Sequence, residues 1–333
     1  MLRIGNLKLA SNIMLSPMAG ISDLPFRLLN REFGCPFAFV EMIDARALSY
    51  KSKKTRSMLS TNQEDKPLGV QLLGCEPNFI QRAMDILQRY EFDLLDFNSA
   101  CPVKKVVRRG EGSGLLKDPR KLSQLLKIIV KYSRVPVTVK IRAGWDSNSI
   151  NAKEAALYAQ GAGIKALFIH GRTKEQGYSG KVNYKIIKAV KDALEIPVIA
   201  SGDILSAELA KKMFDETGCD GIAVARGALG NPWIFGEISE FLKNGKASVR
   251  PDLKEIAKIM LEHLDLCIDF YGERTGVIIF RKFIGWYTKG LRPVFPLSEK
   301  TSRAKTKEEI VNLTREFLTA KHVTANLNLH SAN

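Results

Sequence analysis

Cysteine is scarce in this chain, with five residues in 333, an odd number without a close pair. That excludes a disulfide framework and a CxxC metal knuckle, and it fits a protein kept in a reducing compartment, the cytoplasm. No apolar run approaches the roughly 18 residues that a membrane span needs. Met1 to Ala10 lacks a basic head followed by a long apolar stretch, so it does not read as a secretory signal. Acid is also in deficit: 51 Lys and Arg stand against 35 Asp and Glu, a formal net charge of +16. An excess of that size points to a polyanionic partner, with RNA, DNA and anionic lipid as the candidates. No internal repeat is visible beyond an alternation of strand-like and helix-like segments.

The basic residues that are present cluster. Arg46 to Arg56 holds five and no acid, and Lys104 to Arg120 holds six against Glu111 and Asp118. Arg281 to Lys307 holds eight against Glu299 alone. Basic loops that converge on one face suit a nucleic acid better than an evenly solvated surface does. Nothing in the sequence points to a membrane or to an obligatory protein partner.

Short apolar runs recur at Ile13–Ser16, Phe37–Glu41, Leu68–Leu72, Asp93–Phe97, Val137–Lys140, Ala166–His170, Pro197–Ala200 and Gly221–Ala225. They are apolar throughout, as strands covered on both faces are. Helix periodicity fills the gaps, for instance at Asn78–Tyr90 and Leu122–Tyr132, with Asp118-Pro119 and Ser206 as helix starts. Eight strands alternating with helices over about 230 residues is the arithmetic of a TIM barrel, an α/β fold. The alternative, a doubly wound open sheet, expects a Gly-rich dinucleotide turn after the first strand. Ser16-Pro17-Met18-Ala19-Gly20 is not one. The predicted organisation is a catalytic (β/α)8 barrel over 1–245 and a boundary near Asn244–Pro251. A small helical domain follows over 251–320, with helices at Leu253–Tyr271, Thr275–Thr288 and Glu308–Thr319 and no strand. The tail 322–333 is expected to be disordered.

In such a barrel the chemistry sits at the C-terminal ends of the strands. The residues predicted there are Pro17, Met18 and Ala19, then Glu41, Gln71, Asn98, Lys140 and His170, and finally Ser201-Gly202-Asp203 and Arg226-Gly227. The set suits a flavin. Gln71 can pair with an amide-like ring edge in both directions, and Lys140 can stabilise the anion of a reduced ring. The last two loops stand where barrel enzymes commonly hold a phosphate. Cys101 lies just past the fourth strand, before Pro102 and a basic loop, where a thiol can act as an acid or a nucleophile. Cys35, Cys75, Cys219 and Cys267 read as buried filler.

These residues resemble the tRNA-dihydrouridine synthases, in particular the bacterial B-type group. The resemblance runs from about Ile13 to Leu291. It is carried by SPMAGISDLPFR (Ser16–Arg27), GVQLLG (Gly69–Gly74), DFNSACPVKKVVRRGEGSGLLKDP (Asp96–Pro119), VKIRAGWD (Val139–Asp146), IHGRTKEQGYSG (Ile169–Gly180), SGDI (Ser201–Ile204) and ARGALGNPWIF (Ala225–Phe235). It implies FMN at the barrel mouth, held by Pro17, Met18, Ala19, Gln71, Lys140, His170, Ser201, Gly202, Asp203, Ala225 and Arg226, with NADPH or NADH as reductant. It implies Cys101 as the proton donor and tRNA as the substrate, faced by Asn98, Lys104, Arg142, Arg281 and Lys282. Three positions depart from the family pattern: Ser201 stands for the usual Asn, Ala225 for a frequent Gly, and Phe283 for a frequent His. Two rivals remain at this stage. One is an aldolase that uses Lys140 as a Schiff base, the other an RNA-binding module built on a degenerate barrel.

Overall fold

The computed structural model describes residues 1–246, 251–292, 295–319 and 324–325. Two strands open the chain, β1 (Leu2–Ile4) and β2 (Leu7–Leu9). Eight more follow: β3 (Ile13–Leu15), β4 (Ala38–Asp44), β5 (Leu68–Leu73), β6 (Leu94–Ser99), β7 (Val137–Arg142), β8 (Ala166–His170), β9 (Val198–Ser201) and β10 (Gly221–Val224). They run parallel and close on themselves, β10 pairing with β3, so the fold is a TIM barrel. Every apolar run identified in the sequence is one of these strands, within a few residues at the ends.

The helices between them begin with α1 (Leu24–Glu32), α2 (Ala45–Ser49), α3 (Lys53–Ser57), α4 (Pro77–Leu87) and α5 (Lys104–Arg108). After these come α6 (Pro119–Tyr132), α7 (Ala152–Gly161), α8 (Tyr184–Lys191), α9 (Ala207–Thr217) and α10 (Ile234–Asn244). α6 starts as its sequence predicts. The Asp118 carboxylate accepts from Lys121 N at 3.0 Å and Pro119 occupies the first turn, where a missing N–H costs nothing.

β1 and β2 form an antiparallel hairpin that the sequence reading did not find. Leu2, Ile4 and Leu9 pack in one buried cluster with Met14, Phe37, Phe39, Leu94 and Phe168 of the barrel, so the hairpin completes the barrel core. Phe37, Phe39 and Phe168 meet edge to face at 5.1 and 5.6 Å. Gly69 makes room for them, since a Cβ there would lie 2.4 Å from the Phe39 ring. Truncating Phe39 would empty this layer at a cost of about 3–5 kcal/mol.

The chain divides into two compact units. The barrel unit comprises Met1–Leu24, Cys35–Ile204 and Glu208–Ala225; the second takes Pro25–Gly34, Leu205–Ala207 and the chain from Arg226 onward. α1 and α10 therefore count with the second unit, whereas the sequence reading drew its boundary near Asn244–Pro251.

The second unit is helical, with α11 (Leu253–Tyr271), α12 (Glu273–Tyr287), α13 (Phe295–Arg303) and α14 (Lys307–Thr319). α13 was not foreseen. Nor was a two-residue antiparallel pair, β11 (Leu291–Arg292) with β12 (Thr324–Ala325), in a region expected to lack strands. Apart from Thr324–Ala325, the tail predicted to be disordered lies outside the described residues. Phe283, the departure from the family's His, is fully buried, stacks on Phe26 at 5.6 Å and meets His263 edge to face at 4.4 Å. It is core, so the departure changes packing inside this unit rather than a surface. Among the described residues, no helix is long and apolar enough to cross a membrane.

Candidate active site

The register of the parallel strands places the expected residues side by side. Gln71 lies opposite Asp96, Asn98 opposite Lys140, Arg142 opposite His170, and His170 opposite Ser201. Each sits at or near the C-terminal end of its strand, so the closed barrel gathers side chains that are far apart in sequence.

Behind them runs a buried chain of hydrogen bonds. Thr138 Oγ1 donates to Asp96 Oδ1 and Gln71 Nε2 to Asp96 Oδ2, both at 2.7 Å. Asn98 Nδ2 donates to Gln71 Oε1 at 2.7 Å. Asn98 Oδ1 in turn accepts from Ala100 N at 3.1 Å and Cys101 N at 2.9 Å. Gln71 thus spends one N–H and one lone pair on its neighbours and keeps one of each for a ligand edge. Burial raises the Asp96 carboxyl to about 6, against the pull of Gln71, Thr138 and Lys140. Asp96 and Thr138, both missed in the sequence, orient Gln71; a carboxylate inside an otherwise apolar strand was the available signal.

Asn98 pins the backbone of the cysteine loop from one side. Ser113 holds it from the other, its Oγ and N donating to Cys101 O at 2.9 and 3.1 Å. Gly112, at φ +56°, lets the two segments approach, because a Cβ there would stand 2.7 Å from Cys101 O. Cys101 is half-buried and free, and burial pushes its thiol above the ordinary value, so it stays protonated at neutral pH. Cys35, Cys219 and Cys267 are buried as expected. Cys75 is not, which corrects its assignment as filler: it is half-buried just beyond β5, with its Sγ 3.0 Å from Arg109 O.

Lys140 reaches Ser16 Oγ at 3.5 Å. Burial lowers it from 10.5 to about 8, while Asp96 pulls it upward and Arg142 lowers it further. Arg142 is buried, with its guanidinium given to three backbone carbonyls: Nε to Ala100 O at 2.7 Å, Nη1 to Thr173 O at 3.0 Å and to Gly177 O at 2.8 Å. It ties the cysteine loop to the loop after β8, where the exposed Tyr178 ring lies 5.6 Å from its guanidinium carbon.

Arg172, two residues past His170, was given no role by the sequence. Its Nη1 and Nη2 clasp the Asp203 carboxylate at 2.9 and 2.5 Å, and its Nε donates to Ser179 O at 2.9 Å. The pair holds Asp203 at φ +52°, an uncommon backbone for a residue with a Cβ. Ser201 Oγ donates to Ile169 O at 3.1 Å. Gly202, at φ +112°, must be glycine, since a Cβ would fall 2.8 Å from the His170 ring. The loop after β3 is folded on itself: Met18 N donates to Ser22 Oγ at 2.9 Å, Met18 O accepts from Ile21 N and Ser22 N, and Gly20 N donates to Glu41. Ala225 follows β10 directly, and Arg226 opens the next turn and is exposed.

Pro17–Ala19, Gln71, Asn98, Cys101, Lys140, Arg142, His170, Ser201–Asp203 and Ala225 all belong to the barrel unit. Lys104 is exposed at the start of α5. Arg281 and Lys282 stand on α12 of the helical unit. Lys282 is exposed, whereas Arg281 is half-buried and donates to Ala304 O.

The chain matches the family model described as dihydrouridine synthase (Dus) over residues 14–323. A protein of Rickettsia bellii named "Probable tRNA-dihydrouridine synthase" is 42% identical over 292 residues, covering 87% of this chain and 90% of that protein. The "tRNA-dihydrouridine synthase B" of Pasteurella multocida is 40% identical over 314 residues, 94% of each. Among solved structures, a 6-hydroxypseudooxynicotine amine oxidase of Pseudomonas geniculata superposes with a TM-score of 0.58 at 13% identity, over 78% of this chain and 52% of that one. A histamine dehydrogenase of Rhizobium gives 0.54 at 13%, over 80% and 50%. The chain spans about half the length of those two structures, and at that identity the likeness is one of fold.

Proposed function

The chain belongs to the dihydrouridine synthase family, B type, and from that premise we propose that its barrel mouth reduces the C5–C6 double bond of uridines in tRNA, with FMN as cofactor and NADPH or NADH as reductant. The observation that carries the assignment of roles is the pinned, protonated Cys101, set by Asn98 and Ser113 beside a row of donors suited to a flavin.

The residues present fit that group. Lys140 is a half-buried ammonium whose one hydrogen bond among the described residues is the long contact to Ser16, which suits an anionic ring edge. Gln71 keeps a donor and an acceptor for the ring's amide edge. Gly202 leaves backbone open against His170 where a side chain would intrude. Pro17, Met18 and Ala19 would flank the ring, and the backbone at Ser201–Asp203 and Ala225–Arg226 would take the phosphate. When bound, FMN supplies hydride chemistry, taking two electrons from the nicotinamide and delivering them to C6 of uracil.

The chain's own part is the proton. Cys101 Sγ gives its hydrogen to C5 as the π bond breaks, and the thiolate regains a proton from solvent. Arg142 would hold the loop after β8 against the cysteine loop around the base, and Asn98 would face it. A paired or stacked uracil cannot enter a barrel mouth, so the nucleotide must be turned out of the folded RNA. Exposed Lys104 and Lys282 would meet the phosphate backbone. Arg281, engaged with Ala304, would act by holding α12 rather than by touching RNA. A cytoplasmic location fits a tRNA substrate.

The test is direct. The purified protein should be yellow, release FMN on denaturation, and with NADPH add two hydrogens to uridines of undermodified tRNA, as read by mass spectrometry of digested nucleosides. A protein that cannot be loaded with FMN and leaves such tRNA unreduced would overturn the proposal. Borohydride trapping of a carbonyl substrate on Lys140 would favour an aldolase instead.

A further inference from the structure

The segment that follows β4 carries a cluster for which the chemistry at Cys101 has no use. α2 and α3 form an excursion from the barrel rim. Asp44 Oδ1 caps α2 by accepting from Ala47 N at 3.0 Å, and its Oδ2 takes Arg109 Nη2 at 2.8 Å. Arg109 also pairs with Glu111, in the loop that carries Cys101. The excursion is thus tied to the rim of the candidate active site.

Most of its cations have no acid partner among the described residues. Lys51, Lys53, Lys54 and Arg56 are exposed, and none makes an ion pair among the described residues. Lys51 sits at φ +58°, a left-handed backbone unusual for lysine. Between these cations stands an aromatic array. The Tyr50 ring is 67% exposed and lies 5.7 Å from the half-buried Phe79 ring, over which the Arg46 guanidinium packs at 4.8 Å. Arg46 has only a loose acid partner, Glu76 at 3.9 Å.

A merely solvated turn accounts for the lysines but leaves a large ring held out in water. A ligand that offers both phosphates and free ring faces uses both features. An RNA duplex buries its ring faces, while an anionic lipid headgroup has none to offer. We propose that the α2–α3 excursion is a second RNA platform, on which Tyr50 stacks an unpaired base of the tRNA while Lys51, Lys53 and Lys54 hold the neighbouring phosphates. The platform presupposes the tRNA reading above and adds which part of the barrel grips an unpaired stretch.

The experiment uses the FMN-loaded full-length enzyme and undermodified tRNA. Each phosphate contact on a single strand contributes about 0.7 to the slope of log affinity against log salt. Neutralising all three lysines to Gln should lower that slope by about 2 and weaken binding roughly 50-fold at physiological salt. Tyr50→Ala should weaken tRNA roughly 5- to 150-fold with the slope unchanged, and should leave affinity for a blunt duplex RNA alone. The variants change exposed side chains, so FMN content, reduction by NADPH and kcat at saturating tRNA should stay at wild-type values. A wild type that makes dihydrouridine, matched in tRNA affinity and slope by both variants, overturns the platform and leaves the activity standing. Loss of binding to phosphatidylserine vesicles without loss of tRNA affinity also overturns it. A wild type that makes no dihydrouridine overturns the activity reading, and the salt slopes still decide the platform by themselves.

Discussion

Removing the Cys101 thiol should separate the two half-reactions cleanly. The loop that carries it is fixed by backbone: Asn98 Oδ1 holds Cys101 N at 2.9 Å, and Ser113 holds Cys101 O at 2.9 and 3.1 Å. Alanine keeps all three bonds and the Cβ that packs against Gly112, so Cys101→Ala should retain its fold, FMN and reduction by NADPH. What it loses is the donor at C5, usually a factor of about 10²–10⁴, or about 3–5 kcal/mol of barrier. The assay is single-turnover reoxidation of the reduced enzyme by undermodified tRNA without oxygen. The pH profile gives a second reading. Burial holds the folded thiol above its ordinary value of 9.0, so the wild-type rate should be flat through neutrality and fall only above that value, where the proton is lost. Cys101→Ser should recover little, because a hydroxyl is a poor acid. Reoxidation of Cys101→Ala at the wild-type rate would refute the assignment and place the proton donor elsewhere.

Lys140 and Arg172 carry two further predictions. Without ligand, Lys140 titrates at about 8 instead of 10.5, so the unfolded chain binds the extra proton between these values and stability of the free protein should rise with pH across that window. An anionic flavin edge reverses the preference: FMN affinity, followed by fluorescence quenching, should fall as pH rises past about 8, and Lys140→Met should weaken binding and flatten the profile. Arg172→Met removes the guanidinium from the Asp203 carboxylate, whose side chain is only 27% exposed. Breaking such a pair costs about 3 kcal/mol, near the low end because water still reaches Asp203. The melting temperature should drop by roughly 6–10 °C and FMN affinity should fall with it, while Arg172→Lys, lacking the planar fork, should rescue only part. A Met variant that melts and binds FMN as the wild type does would show that the pair positions nothing.

The sequence by itself determined the barrel and singled out the cysteine loop. Strands covered on both faces must be apolar throughout, so eight runs between periodic helices were enough to count the barrel, and β8 was placed to the residue. The Asn98–Pro102 loop and the His170–Thr173 segment were legible because chemistry constrains short contiguous motifs. The tertiary structure alone decided whatever depends on partners distant in sequence. The hairpin β1–β2 was too short to show periodicity; only its three apolar residues in the barrel core reveal its purpose. Gln71 looked wholly available to a ligand, but Asp96 and Asn98 take half of its hydrogen-bonding capacity. Arg142 was expected to face the tRNA, but three carbonyls claim its guanidinium. Phe283 stood out only as a departure from a frequent His, and it is packed against Phe26 and His263. Arg172 and Asp203 stand 31 residues apart and form one clasp. Local patterns encode which face of an element is buried. Which polar groups satisfy each other across elements depends on closure of the barrel, because burial leaves no water to satisfy them and a neighbour must.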